Sequence, residues 1–252
     1  MCLKIAVSGK GGVGKTTVSS NLAKLFAQRG YNVYAVDADP DSSLGLALGI
    51  SGSELETVKP IIDMREFIDN STGDGALYLL NPDVSSIADQ FSIPVGGIKF
   101  LRMGGIKTGG SSCYCRENNF LKALVNSLLL DVQDVVILDM SAGIEHLTRG
   151  TAKGVDLMLI VTEPGKSSVE TARNVQKLSN QLDIKNIKFV GNKVRNEKEE
   201  LFLKANFPKD ELLGLIHYSE GISDKAMGLL DMDMEPDNAE IKEILEKLVE
   251  DL

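Results

Sequence analysis

The chain is short of cysteine and of positive charge, and it has no long apolar run. Three cysteines among 252 residues make no disulfide framework, and two of them stand almost together as Cys113-Tyr114-Cys115. A reducing, cytoplasmic setting is the simplest expectation, with a Cys-x-Cys pair that is either metal-binding or redox-active. Lys and Arg number 27 against 36 Asp and Glu, a net charge of −9. A non-specific DNA binder needs a basic face, and an anionic membrane surface attracts one. The balance argues against both, so no nucleic-acid or membrane partner is expected. No apolar stretch approaches the roughly 18 residues of a spanning helix. The first residues enter a strand pattern at once, so no signal peptide is expected. Internal repeats and low-complexity tracts are absent too.

What is present is ordinary for a globular protein, 43% hydrophobic and 25% charged. A length of 252 residues suits one α/β domain, since such folds commonly run to about 250 residues. The strongest pattern comes first. An apolar strand from Leu3 to Val7 leads into Gly9-Lys10-Gly11-Gly12-Val13-Gly14-Lys15-Thr16, and a helical pattern follows to Arg29 with Val18, Leu22, Leu25 and Phe26 on one face. Strand, glycine-rich turn, Lys-Thr and helix make a phosphate-binding loop of the G-x-x-x-x-G-K-[ST] type. Glycines let successive backbone N–H groups turn toward one point. The helix N-terminus adds unpaired donors and the positive end of its dipole. Lys15 is expected to reach the β- and γ-phosphates of ATP, and the Thr16 hydroxyl to ligate Mg²⁺. Gly9, Gly11, Gly12, Val13, Gly14 and Thr17 complete the expected nucleotide-binding set.

Further strands are expected over Asn32 to Val36, Asp134 to Leu138, Val155 to Val161, Ile187 to Val190 and Leu212 to Ile216. The run Val135-Val136-Ile137-Leu138 is apolar throughout, as a strand buried on both faces requires. Strands alternating with helical patterns predict a doubly wound, mostly parallel sheet with helices on both faces. Strand two ends in Asp37-Ala38-Asp39-Pro40-Asp41-Ser42. Pro40 cannot continue a central strand, so these acids stand on a loop at a strand's carboxyl end, where open α/β sheets bind ligands. A turn that only caps a helix is the plainer reading of the same residues. Asp139 ends its strand beside the loop and should hold Mg²⁺ through water. Ser167 and Ser168 are placed to cap the helix carrying Val169, Ala172, Val175, Leu178 and Leu182. A last amphipathic helix carries Ile241, Ile244, Leu245 and Leu248.

Residues 42 to 110 are punctuated by glycines. A helix over Ile61 to Ile68, a strand over Leu77 to Leu80 and another at Phe100-Leu101 are expected there. The segment runs into Gly109-Gly110-Ser111-Ser112-Cys113, ahead of a helical pattern with Phe120, Leu121, Leu124, Val125 and Leu128 inward. Cys113 and Cys115 in such a loop favour thiolates. One chain offers two sulfurs, whereas structural Zn²⁺ takes four ligands at about 2.3 Å. Two chains about a two-fold axis would supply four. An idle pair or a reversible disulfide is the alternative.

The loop GKGGVGKT resembles that of the deviant P-loop ATPases of the MinD/ParA, nitrogenase iron protein and arsenite-ATPase kind. The resemblance implies a MinD-like fold and an ATP hydrolase. It also implies that Lys10 crosses a nucleotide-dependent dimer to the second copy's nucleotide. The aspartate matching Asp39 polarises the attacking water, with Asp37 a weaker supporting residue. Asp139-Met140-Ser141-Ala142-Gly143-Ile144-Glu145 matches the D-x-x-A-G-I-E stretch, in which Gly143 would sense the γ-phosphate. An asparagine matching Asn192 reads the adenine edge, which an amide suits because it both donates and accepts. His217 and Tyr218 lie where the family closes over the base and receive no firm role, nor does His146.

Three branches share these features. A MinD/ParA positioning ATPase is disfavoured by the acidity and by the C-terminal helix, whose polar face holds Glu240, Glu243, Glu246, Glu250 and Asp251 where MinD anchors are basic. An iron–sulfur carrier ATPase like the nitrogenase iron protein uses cysteines far apart in sequence. The third is the nickel-insertion ATPase group that matures carbon monoxide dehydrogenase, which the chain resembles along nearly its whole length. The DADP turn, Lys59-Pro60-Ile61-Ile62-Asp63-Met64, Leu80-Asn81-Pro82 and the glycine run into Cys-x-Cys all carry the likeness. That group shows Gly-Cys-Met-Cys-Pro; here Ser112 precedes Cys113, Tyr114 lies between, and Arg116 replaces the proline. The implied partners are a second copy of the chain and a client nickel enzyme, carbon monoxide dehydrogenase or acetyl-CoA synthase. The implied cargo is Ni²⁺ or Zn²⁺ on Cys113 and Cys115. A nucleotide switch whose cysteines are only structural remains the other class.

Overall fold

The computed structural model of the chain describes residues 3–39, 43–64, 90–104, 133–140, 155–230 and 239–250. Eight strands form one sheet: β1 (Leu3–Gly9), β2 (Asn32–Ala38), β3 (Ile93–Val95), β4 (Ile98–Arg102), β5 (Asp134–Met140), β6 (Leu157–Thr162), β7 (Ile187–Val194) and β8 (Leu212–His217). Their order is β3-β4-β2-β5-β1-β6-β7-β8. Every pairing is parallel except β3 with β4. This is the doubly wound, mostly parallel sheet expected of the sequence.

The helices are α1 (Lys15–Gln28), α2 (Leu44–Ala47), α3 (Gly52–Thr57), α4 (Lys166–Gln181), α5 (Glu197–Asn206), α6 (Glu220–Ala226) and α7 (Ala239–Glu250). Alternation along β1 decides which face each contact serves. Ile5 and Val7 join Val18, Leu22 and Phe26 of α1, Leu44 of α2, and Ile241, Ile244, Leu245 and Leu248 of α7. Ala6 points the other way, into a second core with Val169, Ala172 and Val175 of α4 and Leu203 of α5. The central strands β1 and β5 are buried along their whole length. Burial on both faces is why their sequences read as continuous apolar runs.

The strand expected at Phe100-Leu101 is present, but its hairpin pairing and several other elements differ from expectation. Phe100 and Leu101 belong to β4, which pairs back on β3 through a two-residue turn, Gly96-Gly97, with φ of 52° and 84°. Both central residues are left-handed, as a tight hairpin turn requires. The expected helix from Ile61 is a 3₁₀ turn over Ile61–Asp63, and Met64, at φ −86° and ψ 61°, has left the helical region. The rest of that span, the strand at Leu77 to Leu80 and Leu80-Asn81-Pro82 lie outside the described residues. So does the helical pattern from Phe120 to Leu128. Ser167 and Ser168 are not caps. Gly165 holds the N-cap position without a side-chain bond, and the serines stand inside the first turn of α4.

Candidate functional site

Register brings the site together. In the parallel ladders Val7 of β1 lies level with Asp139 of β5, and Asp139 with Asp37 of β2. Three neighbouring strands thus deliver Gly9, Asp139 and residues 37–39 to the carboxyl end of the sheet. The loop leaves β1 at Gly9, where a Cβ would lie 2.2 Å from the Val161 carbonyl oxygen. It enters α1 through Gly14, left-handed at φ 93°, which occupies the N-cap without a capping side chain. No acid stands in the first turn of α1 either, so the helix's leading donors remain for an anion.

Inside the loop two donors meet at one point. Lys15 Nζ donates to the Lys10 carbonyl oxygen over 3.3 Å, and the Val13 N–H donates to the same oxygen over 3.5 Å. Burial lowers the Lys15 pKa, while Asp139 and then Asp39 pull it back up. The Thr16 hydroxyl donates to Asp139 Oδ2 at 2.7 Å and lies 3.1 Å from Ser43 Oγ. Ser19, one turn on, donates to Asp139 Oδ1 at 2.9 Å. Burial raises the Asp139 carboxyl to about 6, and the Thr16 and Ser19 hydrogen bonds oppose that rise. Hydroxyl and carboxylate oxygens side by side are the donor set a hard cation such as Mg²⁺ takes.

Asp37 is fully buried. Its carboxylate accepts the Asp39 N–H at 3.1 Å and the Leu44 N–H at 3.0 Å, tying both residues to the end of β2. Burial is the main cause that lifts its pKa to about 7, and Asp139 adds to it.

On the other side of the loop a cavity of about 220 Å³ is lined by Gly14, Thr17, Asn192, Lys193, Tyr218 and Ile222, among others. Asn192 Nδ2 donates to the Val13 carbonyl at 2.8 Å, and its Oδ1 accepts the Lys193 N–H at 2.9 Å. A Cβ at Gly14 would fall 2.3 Å from that Nδ2. The Arg195 guanidinium lies 4.8 Å from the centre of the Tyr218 ring. His217 bridges α7 and α5, 2.5 Å from Glu240 and 3.1 Å from Glu200. Those two carboxylates, Glu240 first, raise its pKa. A larger groove of about 530 Å³ between α5, β8 and α7 holds none of the expected site residues.

The structure therefore gathers Gly9, Gly12, Val13, Gly14, Lys15, Thr16, Thr17, Asp37, Asp39, Asp139 and Asn192 around one loop. Lys10 turns to its own chain, its Nζ donating to Ser167 Oγ at 2.8 Å. Cys113, Cys115, Gly143 and His146 lie outside the described residues. Among the described residues no group of three or more His, Cys, Asp or Glu is placed to hold a metal ion, and no helix is long and apolar enough to cross a membrane. The sequence reading missed Ser19 and Lys193. Ser19 was legible, since i and i+3 share a helix face with Thr16.

Comparison with known proteins agrees with this geometry. Residues 4–230 match the CobQ/CobB/MinD/ParA nucleotide binding domain. An uncharacterized ATP-binding protein of Methanocaldococcus jannaschii is 42% identical over 228 residues, 87% of each chain. The carbon monoxide dehydrogenase accessory protein CooC of Rhodospirillum rubrum is 39% identical over 240 residues, 93% of this chain and 91% of that one. Among solved structures, the cell division ATPase MinD of Pyrococcus furiosus superposes with a TM-score of 0.69 at 21% identity, over 100% of both chains. A plasmid partition protein of Borrelia burgdorferi gives 0.66 at 17%, again over 100% of both.

Proposed function

Because the chain belongs to the CobQ/CobB/MinD/ParA nucleotide-binding family and is an ATPase of the MinD/ParA kind, we propose that it is a maturation ATPase for a nickel enzyme. The client is carbon monoxide dehydrogenase or the related acetyl-CoA synthase. The observation that carries this reading is the 39% identity to the Rhodospirillum rubrum accessory protein over nine-tenths of both chains, which reaches far beyond the phosphate loop.

In this reading the triphosphate of ATP lies in the loop, on the backbone N–H groups from Gly11 to Thr16 and on Lys15. Thr16 and Asp139 would hold Mg²⁺, which when bound neutralises charge on the β- and γ-oxygens. Asp39 orients the attacking water and takes its proton as the γ-phosphoryl leaves. The Asp37 carboxylate, bonded to the Asp39 and Leu44 N–H groups, keeps that turn in place. Gly143 senses the γ-phosphate. Asn192 and Tyr218 border the cavity that takes the adenine. Lys10 leaves Ser167 and crosses to the nucleotide of a second copy. Cys113 and Cys115 of two chains then hold one Ni²⁺ or Zn²⁺ as cargo, and hydrolysis opens the dimer to release it. Metal and nucleotide favour the same closed state, so each tightens the other.

Reconstitution tests this. Nickel-free carbon monoxide dehydrogenase is incubated with limiting Ni²⁺, with and without this protein and ATP. Faster activation that requires ATP and is lost in Lys15→Ala is expected. Activation at the rate of nickel alone would reject the maturation role.

A further inference from the structure

We infer that Lys193 is a positioning residue of the phosphate loop: with Asn192 it pins two carbonyls outward so that the neighbouring N–H groups face the phosphates. This deepens the nucleotide-site reading above and rests on it.

The pinning is direct. Lys193 Nζ donates to the Gly12 carbonyl at 2.5 Å, and Asn192 Nδ2 donates to the Val13 carbonyl at 2.8 Å. A trans peptide is planar, with its C=O and the next N–H on opposite sides. Holding the Gly12 oxygen toward β7 therefore aims the Val13 N–H into the loop. That N–H does point inward, to the Lys10 carbonyl oxygen that Lys15 Nζ also reaches. Holding the Val13 oxygen toward Asn192 likewise turns the Gly14 N–H inward. Two adjacent side chains thus set two successive donors of the anion cradle.

The backbone of β7 is shaped for this. The register between β7 and β8 shifts between Gly191 and Val194, so Asn192 and Lys193 stand out of the ladder. Such bulges re-aim side chains. Lys193 is left-handed at φ 57°, one of two non-glycine residues with positive φ among the described residues. A lysine there is uncommon. Asn192 Oδ1 secures the turn by accepting the Lys193 N–H at 2.9 Å. The loop is correspondingly fitted to its brace, because any side chain at Gly14 would displace the Asn192 amide.

The test compares dissociation constants for ATP, ADP and AMP in wild type, Lys193→Met, Lys193→Gly and Lys193→Arg. Glycine keeps the left-handed backbone and removes the whole side chain, while methionine keeps an unbranched apolar stem without the ammonium. Both Lys193→Met and Lys193→Gly are expected to weaken ATP and ADP about tenfold, the scale of one lost charged hydrogen bond. AMP, which lacks the β- and γ-phosphates, should change less than about twofold, and arginine should recover most of the loss. Unchanged ADP affinity in Lys193→Gly would overturn the inference. So would an equal loss for all three nucleotides, which marks general damage to the cavity. Should Lys193→Met not fold, the glycine and arginine variants decide. A wild type that binds no ATP would sink the nucleotide-site reading itself and is thereby distinguishable.

Discussion

Thr16 and Asp139 lie 123 residues apart in the chain, yet the threonine hydroxyl donates to the aspartate carboxylate across 2.7 Å. Parallel pairing of β1 with β5 makes the meeting inevitable. Val7 and Asp139 are level in the ladder, and α1 starts six residues past Gly9 with Lys15 and Thr16 as its first two residues. The pair stands where the proposed nucleotide and Mg²⁺ sites join.

Ser19 holds the other oxygen of Asp139 at 2.9 Å. In the proposed Mg²⁺ site it would orient the carboxylate without touching the metal. Loss of such a partner typically costs about 10- to 100-fold in metal affinity or activity. Ser19→Ala should raise the Mg²⁺ concentration that half-saturates ATP hydrolysis by about tenfold, with little change in Mg²⁺-free nucleotide binding. An unchanged Mg²⁺ titration would contradict this role.

Lys10 sits on Ser167 of its own chain, so the proposed crossing to a second copy would break an exposed hydrogen bond. Lys10→Ala should leave ATP affinity within about threefold and cut turnover on the order of 10³-fold, the lower range for a cation supplied in trans to a phosphoryl transfer. Ser167→Ala should leave turnover intact. Equilibrium binding and single-turnover hydrolysis separate the two effects, and unchanged hydrolysis in Lys10→Ala would reject the trans role.

Burial lifts the Asp37 carboxyl to about 7 from an ordinary 3.8. The folded chain keeps a proton that the unfolded chain has shed. The resulting stability is full below about pH 4 and is lost as pH rises through about 7. Asp139, raised to about 6, acts in the same direction. Urea midpoints should thus fall from pH 5 to pH 7. Asp37→Asn should flatten that slope by up to about 1.4 kcal/mol per pH unit, the value of one linked proton. A variant with the wild-type slope would show that Asp37 does not titrate there.

Much of the fold was legible because its strands are buried on both faces. Val135 to Leu138 can pack only between two layers, and so it reads as a central strand. The β3–β4 hairpin was not legible in the same way. Its glycines look like interruptions, while Gly96 and Gly97 are the turn that makes the pairing. Ser167 and Ser168 look like caps but stand inside the first turn, because Gly165 can take the extended N-cap conformation without any side-chain bond. In the site, the motif residues carried their own spacing, whereas Lys193 did not. Its aim depends on a register shift between β7 and β8, a property of strand pairing that no local pattern encodes. The same holds for Asn192: the family resemblance implies a base reader, but its contact with the Val13 carbonyl arises from the loop packing back on β7.

The most direct test of the central claim is metal stoichiometry measured together with molecular mass in solution. Wild type and Cys113→Ser are titrated with Ni²⁺, with and without ATP, and sized by light scattering. The expected result is a dimer with ATP that binds one nickel per two chains, more tightly than without nucleotide, and the loss of that site in Cys113→Ser. A chain that stays monomeric with ATP, or that binds nickel equally well after the substitution, would contradict it.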